Sequence, residues 1–274
     1  MEFKELGNTG VQVPLIGMGT WEIGGGISRD TAGDARDVQA IRKAIELGMT
    51  LIDTAEMYAA GHSEEIVGEA IKIVPREQLF IVTKVAPMNL HYADVIEAAE
   101  RSLKRLQTDW LDLYLVHHPN PQVPLKETME AMEKLVEQNL VRFIGVSNFD
   151  VNQMEEASSH LAGNEIVVNQ VEYSVLHRSV ERDVIPYCRQ HQMTVMAHRP
   201  LARGVLSSNR FLQEIGEKYG KTAAQVALNW LIAREGVIAI PKAVNSDHLE
   251  QNADAAGWKL SEDDLENISS HFHQ

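Results

Sequence analysis

An acidic residue, a phenol and a lysine occupy positions at which two consecutive segments of the chain could bring them together. Asp53 closes one apolar run and Tyr58 follows shortly after it, while Lys84 closes the next apolar run. A tyrosine phenol has a pKa of about 10 and is a poor acid at neutral pH unless a nearby positive charge stabilises its phenolate. Lys84, held in place and kept charged by Asp53, is the candidate for that charge. The pattern predicts that Tyr58 exchanges a proton with a substrate.

Other interpretations of the same residues stay open. Asp53 and Lys84 could form a salt bridge that only supports the core, and Tyr58 could pack at the rim of a pocket. A lysine at the end of a strand is also what Schiff-base chemistry requires. Lys84 could therefore form a covalent adduct with a carbonyl substrate, as in a lyase or aldolase.

A pair of histidines ends a third apolar run. His117 follows residues 113–116, and a neutral imidazole there could donate a hydrogen bond that orients a substrate carbonyl. His118 invites a metal-site interpretation, but adjacent residues of a strand point to opposite faces. No carboxylate-rich spacing accompanies the pair. The sequence therefore predicts no metal site.

Apolar runs rich in valine, isoleucine and leucine recur along the chain and would position these residues. They repeat at intervals of roughly 25 to 40 residues, each followed by a turn and a stretch with helical spacing of apolar residues. Eight such runs predict an α/β fold of the (β/α)8 TIM-barrel class. The predicted strands lie around residues 15–19, 50–55, 79–84, 110–118, 141–148, 165–173, 193–200 and 236–242. Residues 205–234, which join the last two strands, could hold two helices.

The C-terminal ends of the strands are where barrels of this class carry their active sites. Polar or aromatic residues close the predicted strands, and they are Gly19 with Trp21, Asp53, Lys84, His117, Ser147 with Asn148, Gln170, His198 and Lys242. Any one of them could simply end a strand. The set as a whole predicts a functional site at this end of the barrel.

The N-terminal residues 3–13 place two short apolar stretches around Gly7-Asn8-Thr9-Gly10, which predicts a β-hairpin before the barrel. No linker or shift in composition divides the 274 residues, so residues 1–274 are predicted to form a single domain. The lone cysteine, Cys188, excludes an internal disulfide.

Charge and hydropathy limit the classes of partner. The chain has 25 Lys+Arg against 39 Asp+Glu, a net charge of −14, which disfavours nonspecific binding to nucleic acid or anionic membranes. The sequence shows neither a signal peptide nor an apolar segment of membrane-spanning length. A cytoplasmic protein that acts on a small molecule is therefore expected, as a monomer or a weak homo-oligomer.

Seven motifs occur in an order that resembles one enzyme family. They are Met18-Gly19-Thr20-Trp21, Ile52-Asp53-Thr54-Ala55, Val82-Thr83-Lys84, Leu115-Val116-His117, Gly145-Val146-Ser147-Asn148-Phe149, Asn169-Gln170-Val171-Glu172-Tyr173 and Ile240-Pro241-Lys242. The chain resembles an aldo-keto reductase along nearly its whole length. The resemblance implies reversible, NAD(P)H-dependent reduction of aldehydes or ketones to alcohols. It implies a catalytic tetrad of Asp53, Tyr58, Lys84 and His117, with Tyr58 as general acid in reduction and general base in oxidation.

A set of cofactor-binding residues follows from the same resemblance. Ser147, Asn148 and Gln170 are implied to bind the nicotinamide carboxamide, which needs both donors and acceptors. Lys242 and the turn that leads to Asn245 are implied to hold the adenosine phosphate. The remaining predicted cofactor-binding residues are His198, Arg199, His248 and Asn252.

Three departures from the family pattern concern the cofactor. His198 stands where the family usually has an aromatic residue stacked under the nicotinamide, and Arg199 replaces a small residue. Arg199 or Arg203 is a candidate for contact with the pyrophosphate. His248 occupies the position at which NADPH-preferring members commonly carry arginine. NADPH is the expected cofactor, with NADH left open.

The substrate pocket also departs from the pattern. His118 stands where many small-molecule reductases have tryptophan, while Trp21 remains as a second wall. A broad, open site for small carbonyl compounds is expected, beside a mobile loop at residues 24–26. A nucleotide-sensing subunit that keeps the fold but turns over slowly is the remaining alternative.

Overall fold

A short antiparallel hairpin begins the chain in the computed structural model, which describes residues 1–272. Strand β1 (Phe3–Glu5) pairs with β2 (Gln12–Pro14), as the sequence predicts. The Lys4 ammonium donates to the carbonyls of Ile232 at 2.6 Å, Arg234 at 2.7 Å and Val237 at 3.0 Å. Val237 begins the last strand of the chain, so the hairpin lies at the N-terminal ends of the barrel strands.

Eight parallel strands follow, and they confirm the predicted barrel. They are β3 (Met18–Gly19), β4 (Leu51–Asp53), β5 (Phe80–Val85), β6 (Leu111–Val116), β7 (Val141–Ser147), β8 (Ile166–Glu172), β9 (Thr194–His198) and β10 (Val237–Ala239). Each strand pairs with the next one along the chain. Every residue of β5 and β6 is buried, because a parallel sheet inside a ring of helices is covered on both faces.

The barrel closes where β10 meets the start of β3. Ile16 bridges Ala239 in parallel orientation, and the Gly19 amide donates to the carbonyl of Pro241 at 3.1 Å. A Cβ atom on Gly19 would lie 2.8 Å from the carbonyl oxygen of Ile240. Glycine at this position therefore permits the close approach of the two strands.

Within residues 1–272, ten α-helices surround the barrel. They are α1 (Asp34–Glu46), α2 (His62–Ile71), α3 (Tyr92–Leu106), α4 (Leu125–Glu137), α5 (Val151–Ser159), α6 (Val184–Gln190), α7 (Arg210–Glu217), α8 (Ala223–Ile232), α9 (Ser246–Ala253) and α10 (Glu262–His271). Helix α3 buries one apolar face, which includes Val95, Leu103 and Leu106. Residues 205–234, which the sequence left open, hold the two helices α7 and α8. Across residues 1–272, no helix combines the length and apolar character needed to cross a membrane.

Candidate active site

A buried lysine lies at the centre of the C-terminal end of the barrel. Lys84, at the end of β5, is fully buried. Its Nζ donates to Asp53 Oδ2 at 2.8 Å, to the carbonyl of Thr54 at 2.8 Å and to Tyr58 Oη at 3.2 Å. An ammonium group has three N–H donors, so these contacts satisfy all of them. The structure brings Asp53, Tyr58 and Lys84 together, as the sequence predicts.

The charges in this cluster follow from its burial. Burial by itself lowers the pKa of Lys84, but the Asp53 carboxylate and the Tyr58 oxygen raise it and outweigh that effect. For Asp53, burial raises the pKa and Lys84 opposes the rise. The pair is an ion pair because each member provides the charge that the other needs in a water-poor site.

Tyr58 keeps its proton at neutral pH. Burial raises the pKa of the phenol, and the opposing effect of Lys84 is the smaller of the two. Lys84 thus acts in the predicted direction without producing a phenolate. The neutral phenol is the form that can donate a proton.

A strained turn sets the position of the Tyr58 ring. Tyr58 begins a short 3-10 segment, Tyr58–Gly61, in which Ala59 and Ala60 have φ values of 50° and 53°. The amide of Ala59 donates to the carbonyl of Gly26 at 3.0 Å. Left-handed backbone is costly for alanine and persists where surrounding contacts enforce it. The loop at residues 24–26 therefore helps to hold this turn, and its predicted mobility stays a prediction.

Aromatic rings flank Tyr58 on two sides. Trp21, which is 41% exposed, meets the Tyr58 ring edge-on with ring centroids 5.0 Å apart. His117 approaches edge-on as well, with centroids 5.6 Å apart. Trp21 is thus placed as a wall beside the phenol, at the solvent-facing side of the cluster.

His117 is a neutral imidazole in a buried position. Burial, followed by the charges of Lys84, His118 and His198, lowers the pKa of His117 to about 2. Its Nδ1 is buried and has no hydrogen-bond partner among residues 1–272. A buried N–H without an acceptor costs more than a buried lone pair, which favours the proton on Nε2. His117 can then donate one hydrogen bond from Nε2.

The two adjacent histidines do not point to opposite faces, so that expectation was wrong. The rings of His117 and His118 stack with centroids 5.0 Å apart and an interplanar angle of 12°. Strand β6 ends at Val116, and strand alternation stops with it. His118 is exposed beside His117. Among the described residues, no three His, Cys, Asp or Glu side chains gather in a way that could hold a metal ion.

A second cluster of polar side chains lies at the ends of β7, β8 and β9. Asn148 Nδ2 donates to Ser147 Oγ at 2.9 Å and to the carbonyl of His117 at 3.2 Å. His198 Nε2 lies 3.0 Å from Asn148 Oδ1. Gln170 Nε2 donates to Asp53 Oδ1 at 2.7 Å. The predicted carboxamide-binding residues are therefore next to one another and joined to the Lys84 cluster through Asp53.

Three hydrogen-bonding groups in this second cluster remain available to a ligand. Within residues 1–272, neither the hydroxyl proton of Ser147 nor Oε1 of Gln170 is engaged in a hydrogen bond. Asn148 Oδ1 has one lone pair beyond the one that His198 uses. One donor and two acceptors remain, which matches the single acceptor and two donors of a primary amide.

The remaining predicted cofactor residues form a separate group around α9. Lys242 is exposed just beyond β10. Asn245 is the N-cap of α9. Its Oδ1 accepts from the backbone N–H groups of Asp247 at 2.8 Å and His248 at 3.3 Å, so this oxygen is already used in capping the helix. His248 is exposed in the first turn, whereas Asn252 is buried.

The two arginines predicted near the pyrophosphate lie on the loop after β9. Arg199 donates to Glu172 Oε2 at 2.8 Å, a pairing that sequence reasoning did not anticipate. Arg199 and Arg203 have φ values of 51° and 56°, so both lie in left-handed backbone. Strain of this kind gathers at functional sites.

Two contributors to the site were not predicted. The backbone carbonyl of Thr54 accepts from Lys84, and the sulfur of Met196 lies 2.9 Å from Gln170 Nε2. Thr54 could have been found from its place directly after Asp53. Nothing in the sequence pattern distinguishes Met196 from other apolar residues of β9.

Comparisons with known proteins identify the family of the chain. The family model described as "Aldo/keto reductase family" matches residues 15–272. The chain is 45% identical over 260 residues to methylglyoxal reductase YeaE of Escherichia coli strain K12, which covers 93% of this chain and 89% of that protein. The crystal structure of the thermostable aldo-keto reductase Tm1743 with the inhibitor epalrestat has a TM-score of 0.95 at 46% identity, covering 98% of this chain and 99% of that one.

A third comparison involves a structure with a bound dinucleotide. The crystal structure of an aldo-keto reductase from Klebsiella pneumoniae in complex with NADPH has a TM-score of 0.89 and 41% identity, covering 95% of this chain and 92% of that one. The family match spans the barrel strands that carry both polar clusters. This protein belongs to the aldo/keto reductase family.

Proposed function

We propose that this protein reduces aldehydes or ketones to alcohols with NADPH, and that Tyr58 gives the proton to the carbonyl oxygen. The observation that carries the proposal is the contact of Lys84 Nζ with both Asp53 and Tyr58. A neutral phenol hydrogen-bonded to a buried ammonium can lose its proton to a substrate without leaving an uncompensated charge. The same group can take the proton back when the reaction runs toward oxidation.

The second polar cluster suits the nicotinamide end of the cofactor. Ser147, Asn148 and Gln170 retain one donor and two acceptors, the complement of a primary carboxamide. When bound, NADPH supplies the hydride for the carbonyl carbon. The role of the protein is to orient the two reactants and to provide the proton.

His117 would fix the orientation of the substrate carbonyl. Its neutral ring lies edge-on to Tyr58 and carries its proton on Nε2, from which it can donate to the carbonyl oxygen. Two donors, Tyr58 and His117, would then meet at one oxygen. Both favour the charge that develops there as the carbon is reduced.

Basic side chains near α9 suit the phosphate of NADPH. Lys242 is exposed just beyond β10, the barrel strand that precedes α9, and His248 is exposed in the first helical turn. An anion near the start of a helix is also stabilised by the helix dipole. Arg199, held by Glu172, would lie nearer the pyrophosphate. These groups support NADPH as the preferred cofactor, and the similar Klebsiella pneumoniae structure is a complex with NADPH.

Small aldehydes such as methylglyoxal are the substrates that we propose. The support is the 45% identity to a methylglyoxal reductase. Trp21 and His118 are both exposed beside the cluster, and they would offer one apolar and one hydrogen-bonding side chain to a short substrate.

The state of Lys84 argues against a Schiff-base lyase. A nucleophilic amine needs a free lone pair and access to the substrate. Lys84 is fully buried, its three donors are engaged, and neighbouring charge raises its pKa.

The test is a set of steady-state assays with NADPH and NADH against methylglyoxal, short aldehydes, ketones and ketoses. We expect NADPH oxidation with the aldehydes and a higher kcat/KM for NADPH than for NADH. Borohydride treatment in the presence of each carbonyl compound should give no adduct on Lys84. Absence of turnover with every carbonyl, or a trapped adduct on Lys84, contradicts the proposal.

A further inference from the structure

We propose that His198 is a positioning residue that orients the Asn148 side-chain amide toward the carboxamide of the bound cofactor. This inference rests on the proposed function, because it assumes that the cluster at the ends of β7, β8 and β9 receives a nicotinamide. Its basis is the 3.0 Å contact between His198 Nε2 and Asn148 Oδ1. The position of His198 in the sequence predicts that its ring stacks under the nicotinamide. Stacking alone does not require a hydrogen bond to Asn148.

The direction of this hydrogen bond is fixed by its neighbours. The backbone carbonyl of His117 can only accept, and it lies 3.2 Å from the other end of the Asn148 amide. The amide nitrogen must therefore face His117, which leaves Oδ1 facing His198. His198 must then carry its proton on Nε2 to form the bond.

The charge state of His198 agrees with a single proton on the ring. Burial, followed by the charges of Lys84, Arg199 and His118, lowers the pKa of His198 to about 3. The ring is neutral at working pH, so Nδ1 carries a lone pair. The N–H on Nε2 is the only donor that the side chain has for Asn148.

The backbone of Asn148 is already held, so the bond from His198 acts on the side-chain amide, where it complements the contact of Nδ2 with the carbonyl of His117. Asn148 has a φ of 61°, and its backbone N–H donates to the backbone carbonyl of Gln170 at 2.8 Å. The bond from His198 uses one lone pair of Oδ1 and leaves the other for an N–H of the carboxamide. A flipped amide would present its own N–H groups to that carboxamide, and two donors would then face each other.

Ring and hydrogen bond can be separated by substitution. His198→Phe keeps an aromatic ring for stacking and removes the N–H. His198→Gln removes the ring and can place an amide nitrogen close to the position of Nε2. His198→Asn is also polar, but its shorter side chain places the nitrogen near Nδ1 instead. The control is His160→Phe, because His160 caps the C-terminus of α5, outside both polar clusters.

The test measures binding, by calorimetry, of NADP⁺ and of its 3-acetylpyridine analogue, in which a methyl group replaces the carboxamide NH2. The ratio of the two dissociation constants reports the hydrogen bond from the NH2 group. In the wild type, His198→Gln and His160→Phe, we expect the analogue to bind about 3- to 10-fold more weakly, the range of one hydrogen bond. In His198→Phe and His198→Asn, we expect the ratio to approach one.

Each result is decisive. The same ratio in His198→Phe and His198→Asn as in the wild type overturns the inference, even if both ligands bind more weakly. A ratio near one in all variants and the wild type also overturns it, because no NH2 contact is then present. Failure of the wild type to bind either dinucleotide overturns the proposed function and this inference together. Circular dichroism of each variant identifies any loss of binding that comes from misfolding. If His198→Phe or His198→Asn misfolds, the ratio measured in the other of the two decides.

Discussion

Lys84 Nζ lies 3.2 Å from Tyr58 Oη and donates a hydrogen bond to it. The ammonium reaches this position because Asp53 and the carbonyl of Thr54 hold its other two N–H groups. A tyrosine in water is a weak acid, and burial alone makes it weaker. The ammonium of Lys84 stabilises the phenolate, and this contact can therefore allow the phenol to give its proton to a substrate oxygen.

Removal of the ammonium should affect stability and catalysis in different ways. In Lys84→Met, the buried Asp53 loses its ionic partner, and breaking such a pair typically costs about 3–5 kcal/mol. In the double variant Asp53→Asn/Lys84→Met, no charge stays unpaired, and we expect most of that stability to return. Carbonyl reduction should remain impaired in both.

Urea unfolding and NADPH consumption measure these two effects. If the double variant is no more stable than Lys84→Met, the buried charge is not the source of the loss. If Lys84→Met reduces methylglyoxal at the wild-type rate, Lys84 has no part in the proton transfer.

The rate of reduction should not change between about pH 6 and 9. Tyr58 is the active acid while protonated, and burial raises its pKa above the ordinary value of 10.0. Activity is therefore present at neutral pH and lost only as the pH rises through that raised pKa. His117, with a pKa lowered to about 2, does not titrate in this range. Alcohol oxidation needs the phenolate, so its rate should rise with pH.

Single-turnover rates in both directions across this pH range measure the dependence. They avoid a limit set by product release. An acidic limb with an apparent pKa near that of an ordinary histidine, abolished in His117→Ala, would show that His117 titrates and that the assignment of its protonation state is wrong.

Preference for NADPH should depend on Lys242. Lys242→Met removes the exposed cation beside α9, and loss of a charge-assisted hydrogen bond corresponds to about 10- to 100-fold in affinity for NADPH. Affinity for NADH should hardly change, because it lacks the 2′-phosphate. Dissociation constants of both cofactors measure the effect, with Lys126→Met on α4 as the matched surface control. An equal loss for both cofactors contradicts a phosphate-specific role.

The hairpin at the opposite end of the barrel should contribute to stability alone. Lys4→Met loses three hydrogen bonds from an ammonium to the carbonyls of Ile232, Arg234 and Val237. We expect unfolding to become easier by about 1.5–3 kcal/mol, with kcat and KM unchanged. Thermal unfolding and steady-state assays on the same sample measure both quantities. A changed kcat would indicate that the two ends of the barrel are coupled.

The strands, and the placement of Asp53, Lys84 and His117 at one end of the barrel, could be predicted because they depend on local patterns. Apolar runs mark strands that are buried on both faces, and a residue at the end of such a run must lie at one edge of the barrel. Asp53, Lys84 and His117 needed no further information. Their placement side by side follows from the order of strands β4, β5 and β6 in the barrel.

Other features depend on contacts that no local pattern records. Alanine gives no sign of left-handed backbone, so the turn at Ala59 and Ala60 could not be foreseen. The bond between Gln170 and Asp53 joins residues 117 positions apart. The stack of His117 on His118 was missed because β6 was predicted to continue through both residues, whereas it ends at Val116.

The central claim is that Tyr58 supplies the proton, and the most direct measurement is the single-turnover rate of methylglyoxal reduction by Tyr58→Phe under saturating NADPH. The substitution keeps the ring beside Trp21 and His117 and removes only the hydroxyl. We predict a rate lower by about 10²- to 10⁴-fold, the usual contribution of a positioned general acid, with the dissociation constant for NADPH unchanged. A rate close to that of the wild type would contradict the account.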